Sequence, residues 1–184
     1  MKSCLLLVDL QNDYFPGGRM ELVGSEAAAT QARRLLESFR QQGQPIIHIR
    51  HLSLQSSATF FLPETSGAEI HPLVTPAAGE NVVVKNFPNS FRATPLLQIL
   101  QREEIEKLVI CGAMSHMCID ATTRAAFDLG FSCMVAADAC ATRDLLFQGR
   151  TVGAADVHAS FMAALAAVYA KVLPTSEILK SGER

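Results

Sequence analysis

Three side chains of unlike chemistry each stand at or just after the end of an apolar run. Asp9 follows CLLLV, Lys85 ends NVVVK, and Cys118 follows KLVICGA after a short turn. A carboxylate can take the proton of a thiol and pass it to a leaving amine, while a neighbouring ammonium stabilises the thiolate. If the three groups meet in the folded chain, the chemistry they favour is nucleophilic attack by Cys118 on a carbonyl carbon.

Apolar runs of strand length alternate with longer helix-like stretches. The apolar residues within each run are nearly continuous, as in strands that are buried on both faces of a parallel sheet. This alternation predicts a doubly wound α/β sandwich. The runs are CLLLVDL near the start, PIIHIR at 45–50, NVVVK at 81–85, KLVICGA at 107–113, FSCMVAAD at 131–138 and AKVLPT at 170–175.

The stretches between these runs predict four helices and one long loop. The helices are expected at 25–43, 96–104, 118–130 and 151–170. Residues 51–80 break the rhythm, because they are rich in Ser, Thr, Pro and Gly. A loop of this length inside one domain is often a lid or a binding segment.

The alternation also predicts where a site would lie. Ligands of open α/β sheets bind beyond the carboxyl ends of the strands, and Asp9, Lys85 and Cys118 all fall at such ends. Taken singly, each has an ordinary explanation: a turn-forming Asp, a solvated Lys, a packed Cys. Together they indicate a site. The helix start and the ammonium are both expected to favour the thiolate of Cys118.

Composition excludes several classes of function. The net charge is −2 and the pI is about 6.2, without the basic stripe of a nucleic-acid or anionic-membrane binder. The longest apolar stretch, 159–170, is shorter than the roughly 20 residues that span a bilayer. Five cysteines without paired spacing, and no export signal, predict reduced thiols in the cytoplasm. The 184 residues, 1–184, suit a single domain.

Three motifs, taken in order, resemble the isochorismatase-like cysteine hydrolases. They are LLLVDLQNDYF, VVVKNFPNSF and CGAMSHMCIDATTRAAFDLGF, and the similarity runs from residue 5 to about residue 177. The resemblance implies a Rossmann-like, three-layer α/β/α sandwich with a parallel six-stranded sheet. It also implies a catalytic triad of Asp9, Lys85 and Cys118.

The resemblance implies further features around the nucleophile. It implies a cis peptide bond between Ala113 and Met114, and an oxyanion hole formed by the backbone amides of Met114 and Cys118. The expected activity is hydrolysis of an amide, ureido or related C–N bond of a small molecule through a Cys118 thioester. A homo-oligomer is expected as well. Hydrolysis of an enol ether, as in isochorismatase proper, and a non-catalytic binding or redox role stay open as alternatives.

No cofactor and no metal are expected. Nicotinamidases within the superfamily bind a metal through an Asp-x-His pair after the second strand, whereas this chain reads IIHIRHLS there, without the Asp. Five residues are candidates for substrate binding, although ordinary packing accounts for them equally well. They are Gln11, Phe15, Phe91, His116 and Met117.

Overall fold

Six parallel strands form one sheet in the computed structural model, which describes residues 1–182. The sheet order is β3-β2-β1-β4-β5-β8, so that β1 and β4 lie at the centre. A separate antiparallel pair, β6–β7, forms a small hairpin. The strands are β1 Ser3–Val8, β2 Ile46–His51, β3 Asn81–Lys85, β4 Lys107–Ala113, β5 Ser132–Ala141, β6 Leu145–Phe147, β7 Arg150–Val152 and β8 Lys171–Leu173.

Helices cover both faces of the sheet, which confirms the predicted three-layer sandwich. Leu5 and Leu7 of β1 face one layer, while Leu6 and Val8 face the other. The first layer contains α1 Ser25–Gln41 and α5 Thr175–Gly182, and the second contains α2 Leu96–Arg102, α3 Asp120–Asp128 and α4 Ala154–Val168. Burial on both faces explains why the central strands β1 and β4 are nearly continuous in apolar residues, whereas Val82 and Val84 of the edge strand β3 are 45% and 44% exposed.

The predicted helices need correction at two of their starts, and one further helix is present. The helix predicted at 118–130 begins earlier, with a π-helical turn at Ser115–Ile119 that leads into α3. The helix predicted at 151–170 begins only at residue 154, because Arg150–Val152 pairs with Leu145–Phe147 as a hairpin. The short helix α5 was not predicted; it follows directly on Pro174, whose carbonyl accepts from the amide of Glu177.

The long loop between β2 and β3 is present as predicted. Residues 52–80, all of which the structure describes, contain no helix beyond the two 3-10 turns Ser66–Ala68 and Pro72–Val74. The loop returns to the sheet through Gln11 and Ile70, which form an isolated antiparallel bridge. None of the helices in residues 1–182 has the length and apolar character that crossing a bilayer requires.

Candidate active site

Four neighbouring strands each deliver one polar side chain to the same edge of the sheet. Lys85 ends β3, His51 ends β2, Asp9 follows β1, and Cys118 lies in the π-helical turn that follows β4. Asp9 has a left-handed φ of 53°, and its amide donates to the carbonyl of Ile49 on the neighbouring strand at 3.0 Å. The strand order therefore brings together residues that lie as far as 109 positions apart in sequence.

The Lys85 ammonium lies at the centre of this group. Its Nζ is 2.8 Å from Oδ2 of Asp9, 2.8 Å from Nδ1 of His51 and 3.2 Å from Sγ of Cys118. It also donates to the carbonyl oxygen of Phe87 at 3.1 Å. The three residues predicted as a triad are thus in mutual contact through the ammonium.

The Asp9–Lys85 ion pair is closed off from water, with both side chains at 0% exposure. Burial alone lowers the pKa of Lys85, but the negative charge of Asp9 and the hydrogen bonds to Asp9 and Cys118 outweigh it, so that the pKa is raised. Lys85 is therefore a permanent cation at neutral pH. Among residues 1–182, Asp9 has no hydrogen-bond donor near its carboxylate apart from Lys85 and the Cys118 thiol. The carboxylate is thus free to accept a proton.

Cys118 departs from the expectation that the helix start and the ammonium favour its thiolate. Burial raises the pKa of the Cys118 thiol, Asp9 raises it further, and Lys85 lowers it too weakly to reverse the change. The resting site therefore holds a thiol rather than a preformed thiolate. A base is needed at the moment of attack, and Asp9 is the carboxylate in place to act as one.

The backbone geometry at the end of β4 determines how the chain enters the turn that carries Cys118. Gly112 has a φ of 125°, and a Cβ there would collide with the backbone of Val8 on β1. One residue further on, the Ala113–Met114 peptide bond, for which the resemblance implies a cis geometry, is cis. The carbonyl of Met114 then accepts from the amides of two residues in the π-helical turn, at 3.0 and 3.2 Å.

A cavity of about 370 Å³ opens over Cys118. Its wall comes from the 51–61 segment, from residues 86–88 after β3, and from the turn at 114–118. In the described part of the chain, no Asp, Glu, Lys or Arg lines it. The lining residues are Tyr14, His51, Ser53, Leu54, Gln55, Ser57, Ala58, Thr59, Phe60, Phe61, Asn86, Phe87, Pro88, Met114, Met117 and Cys118.

Two of the predicted substrate-binding residues lie close to the site, but only one faces the cavity. Met117 lines the cavity and is 41% exposed. Gln11 does not line it. Its side chain is fully buried, and its amide bonds the backbone N–H and carbonyl of His51 and the carbonyl of Ala68. Gln11 binds backbone groups, because a buried amide must satisfy its own donors and acceptor.

The other three candidates contact other parts of the protein. Phe15 is buried and stacks on His71, with ring centroids 3.6 Å apart. Phe91 packs against the apolar core on the side of α2 and α3. His116 forms a 2.6 Å hydrogen bond between Nδ1 and Oγ1 of Thr142. None of the three lines the cavity over Cys118, because each ring is packed or hydrogen-bonded against other residues.

Sequence reasoning missed two residues that shape the site. His51, the last residue of β2, contacts Lys85 directly. The buried carboxylate of Asp13 accepts from the amide of Phe61 at 2.6 Å and tethers the cavity wall. A Cβ at Gly67 would overlap this carboxylate, so the loop packs tightly around Asp13. Burial of an Asp was the missing signal, and sequence alone does not provide it.

Three of these groups are of types that also bind metals. One ligand atom each from Asp9, His51 and Cys118 all lie within 4.8 Å of one another. The Lys85 Nζ is within hydrogen-bonding distance of all three residues. A metal ion bound by this set would have to displace the ammonium and overcome its charge.

The fold and the buried Asp–Lys–Cys set define an α/β protein with a cysteine-centred site at a sheet edge. The family model of the isochorismatase domain matches residues 3–177, and the chain belongs to the isochorismatase family, whose members are hydrolases. It is 49% identical over 180 residues to the isochorismatase family protein YddQ of Bacillus subtilis, with 98% of this chain and 100% of the relative covered.

A solved structure and a more distant relative extend this comparison. A protein from Oleispira antarctica, described as an isochorismatase hydrolase, is 55% identical with a TM-score of 0.94, over 97% of this chain and 96% of the other. The nicotinamidase of Escherichia coli is 27% identical over 173 residues, which cover 74% of this chain and 81% of the relative.

Proposed function

We propose that the protein is a cysteine amidohydrolase that cleaves an amide, ureido or related C–N bond of a small molecule through a thioester at Cys118. One observation carries the proposal: a buried Asp9–Lys85 ion pair contacts a cysteine that lines a cavity. Neither packing nor stability explains an ion pair buried at 0% exposure beside a thiol.

The first half-reaction makes the thioester. Asp9 takes the thiol proton as Sγ of Cys118 bonds to the substrate carbonyl carbon, and the C=O electron pair moves onto oxygen. When the C=O bond re-forms, the C–N bond breaks, and Asp9 returns the proton to the leaving nitrogen. Ammonia or an amine departs, and the acyl group stays on Cys118. The Lys85 cation offsets the negative charge that passes between Asp9 and Cys118.

The second half-reaction releases the acid. Asp9 removes a proton from a water molecule, whose oxygen bonds to the thioester carbonyl carbon. The C–S bond then breaks, and the proton on Asp9 returns to the sulfur. In both half-reactions we assign the oxyanion to the backbone amides of Met114 and Cys118, the pair implied by the family resemblance.

The cavity favours C–N hydrolysis over hydrolysis of an isochorismate-like enol ether. Such an ether carries carboxylates, and in residues 1–182 no cationic side chain lines the cavity to receive them. A neutral amide needs no such partner. The named activity of the nicotinamidase relative, which is hydrolysis of a neutral amide, supports the same choice. A purely binding or redox role leaves the buried Asp9–Lys85 pair without a purpose.

A substrate panel tests this proposal. Purified protein is assayed for ammonia or amine release from neutral carboxamides and from N-carbamoyl compounds, and for cleavage of an isochorismate-like enol ether. We expect turnover of at least one C–N substrate and none of the ether. Turnover of the ether alone would favour hydrolysis of an enol ether. No turnover of any compound in the panel would favour a binding or redox protein.

We also propose a homo-oligomer in a reducing, cytoplasmic setting, without nucleic-acid or membrane partners. The β6–β7 hairpin exposes Leu146 and Phe147 at 74% and 69%, a pair of apolar side chains that a second copy could cover. All five cysteines are buried and unpaired. Light scattering should give a mass that is a multiple of 19.9 kDa, and a monomer would contradict the proposal.

A further inference from the structure

His51 contacts the Lys85 ammonium but has no step in the proposed mechanism. An ammonium carries three N–H donors, and Nζ of Lys85 has four acceptors around it. Nδ1 of His51 at 2.8 Å and the carbonyl of Phe87 at 3.1 Å are the two that do not react. They lie alongside Oδ2 of Asp9 and Sγ of Cys118. Four acceptors compete for three N–H donors, so the direction in which the ammonium points depends on each of them, His51 included.

The contact fixes the protonation state of the ring. Because the Lys85 ammonium can only donate, Nδ1 of His51 must accept, and the neutral ring carries its proton on Nε2. Burial, followed by the charge of Lys85, lowers the pKa of His51 to about 4, which agrees with a neutral ring at physiological pH. His51 can therefore hold the ammonium without adding a second positive charge to the site.

A second buried side chain holds His51 itself in place. Oε1 of Gln11 accepts from the backbone N–H of His51 at 2.7 Å, and Nε2 of Gln11 donates to the His51 carbonyl at 2.8 Å. Nε2 also donates to the carbonyl of Ala68 at 2.9 Å. His51 is paired in register with Lys85 across β2 and β3. The chain of contacts therefore runs from Gln11 through the His51 backbone and ring to the ammonium.

We propose that His51 is a positioning residue: its Nδ1 holds the Lys85 ammonium between Asp9 and Cys118, and Gln11 fixes the backbone from which the ring projects. This inference rests on the proposed function. It assigns a role to the last position of β2, which this chain fills with a histidine. It also gives a role to Gln11, which is completely buried and does not line the cavity.

Three substitutions of His51 separate this role from simple lining of the cavity. His51→Asn places an amide oxygen near the position of Nδ1, His51→Gln places it nearer to Nε2, and His51→Leu removes the acceptor. We expect kcat to fall at least about tenfold in the Leu and Gln variants and to stay within about threefold in the Asn variant. A residue that only lines the cavity would change KM and would gain nothing from Asn over Gln.

A measurement on the thiol makes the test independent of any substrate. The rate of Cys118 alkylation by iodoacetamide is followed against pH, with the site of modification confirmed by peptide mass. The Leu and Gln variants should need a higher pH for the same rate, because a displaced ammonium stabilises the thiolate less, and the Asn variant should restore the wild-type profile. His48→Leu is the matched control, since His48 is buried on the same strand but bonds Glu80.

The outcomes distinguish this inference from the proposed function. If Asn restores the alkylation profile but no C–N substrate is turned over, the positioning role stands and the proposed function falls. If the Leu variant keeps wild-type kcat and alkylation, or if Asn is as impaired as Leu, the positioning role is wrong. Should the Leu variant fail to fold, the comparison of Asn with Gln decides the question alone.

Discussion

The floor of the cavity and its wall are built in different ways. The floor consists of Cys118 and His51, and beneath it lies the Asp9–Lys85 ion pair, which is inaccessible to water; four adjacent strands fix these groups. The wall comes largely from the loop after β2, where Leu54 is 69% exposed. On the proposed function, a floor fixed by the sheet beneath a wall formed by a loop would separate two tasks: the sheet would position the reacting groups, and the loop would select the molecule that reaches them.

The loop segment that forms the wall is nevertheless held to the rest of the protein through a buried side chain, that of Asp13. Asp13 accepts from the amide of Phe61, and the carbonyl of Phe61 accepts from the amide of Ser53 at 2.9 Å. Phe61 has a left-handed φ of 55° and packs its ring on Tyr14, with centroids 4.5 Å apart. Changes to the floor should therefore lower kcat, whereas changes at this attachment should act on KM.

The largest effect is expected from the nucleophile itself. Cys118→Ala should lower kcat/KM by at least about 10³-fold, because no other group can form the covalent intermediate. Circular dichroism should show an intact fold, since one small buried side chain replaces another. Cys133→Ala is the matched control: Cys133 is buried on the same face of the sheet, outside the cavity, and its loss should leave turnover near wild type. Equal rates for the two variants would contradict covalent catalysis.

Loss of the general base should come next. Asp9→Asn should lower kcat by about 10²-fold or more, since an amide cannot accept the thiol proton. The buried Lys85 cation would also lose its counter-charge, at a cost of about 3–5 kcal/mol in the free energy of unfolding. Steady-state kinetics and chemical denaturation measure the two effects. A stable Asp9→Asn protein with normal kcat would remove Asp9 from the mechanism.

Loss of the Lys85 cation should have a smaller effect, seen best in the pH dependence of Cys118 alkylation. Lys85 lowers the pKa of Cys118, although burial outweighs it. Lys85→Met removes the charge at similar length, so the alkylation profile of Cys118 should move to higher pH, with slower reaction at any fixed pH below the transition. An unchanged profile would show that the ammonium does not act on the sulfur.

The wall should respond differently from the floor. Asp13→Asn keeps one acceptor but removes the charge that holds the amide of Phe61, so the loop should loosen. We expect KM to rise by about tenfold, the scale of one charge-assisted hydrogen bond, with kcat changed far less. The measurement is a full kinetic comparison on the best substrate of the panel. A fall in kcat at constant KM would mean that the loop takes part in the chemistry.

The smallest effect is expected from removal of metals. Because the Lys85 ammonium occupies the space among the three potential ligands, dialysis against EDTA should leave turnover unchanged. Elemental analysis of the protein before and after dialysis provides the control. Stoichiometric zinc, iron or manganese, with activity lost on chelation and restored on return, would contradict this prediction.

Much of the floor could be predicted from the sequence, because strand ends are visible in apolar runs. Asp9 and Lys85 stand at the ends of two such runs, and parallel strands place their carboxyl ends at one edge. The protonation state of Cys118 could not be predicted, since it depends on how deeply the thiol is buried. The turn that carries Cys118 begins at Ser115 rather than at the cysteine, because the chain enters from β4 through the close approach of Gly112 to β1.

The wall could not be predicted in the same way. Aromatic residues of this chain have no periodicity that separates a cavity ring from a core ring, and Phe60 and Phe61 line the cavity whereas Phe15 and Phe91 do not. The tether through Asp13 depends on a contact 48 positions away in sequence. Loop residues are placed by such distant partners, which no local pattern reveals.

The most direct test of the account is to identify the acyl-enzyme. An activated ester of the acid produced from the best substrate is mixed with the protein, the reaction is quenched in acid, and the intact mass is measured. The account predicts that the mass increases by one acyl group, that peptide mapping places this group on Cys118, and that hydroxylamine removes it. Turnover of the ester with the acyl group on another residue, or the same adduct in Cys118→Ala, would contradict it.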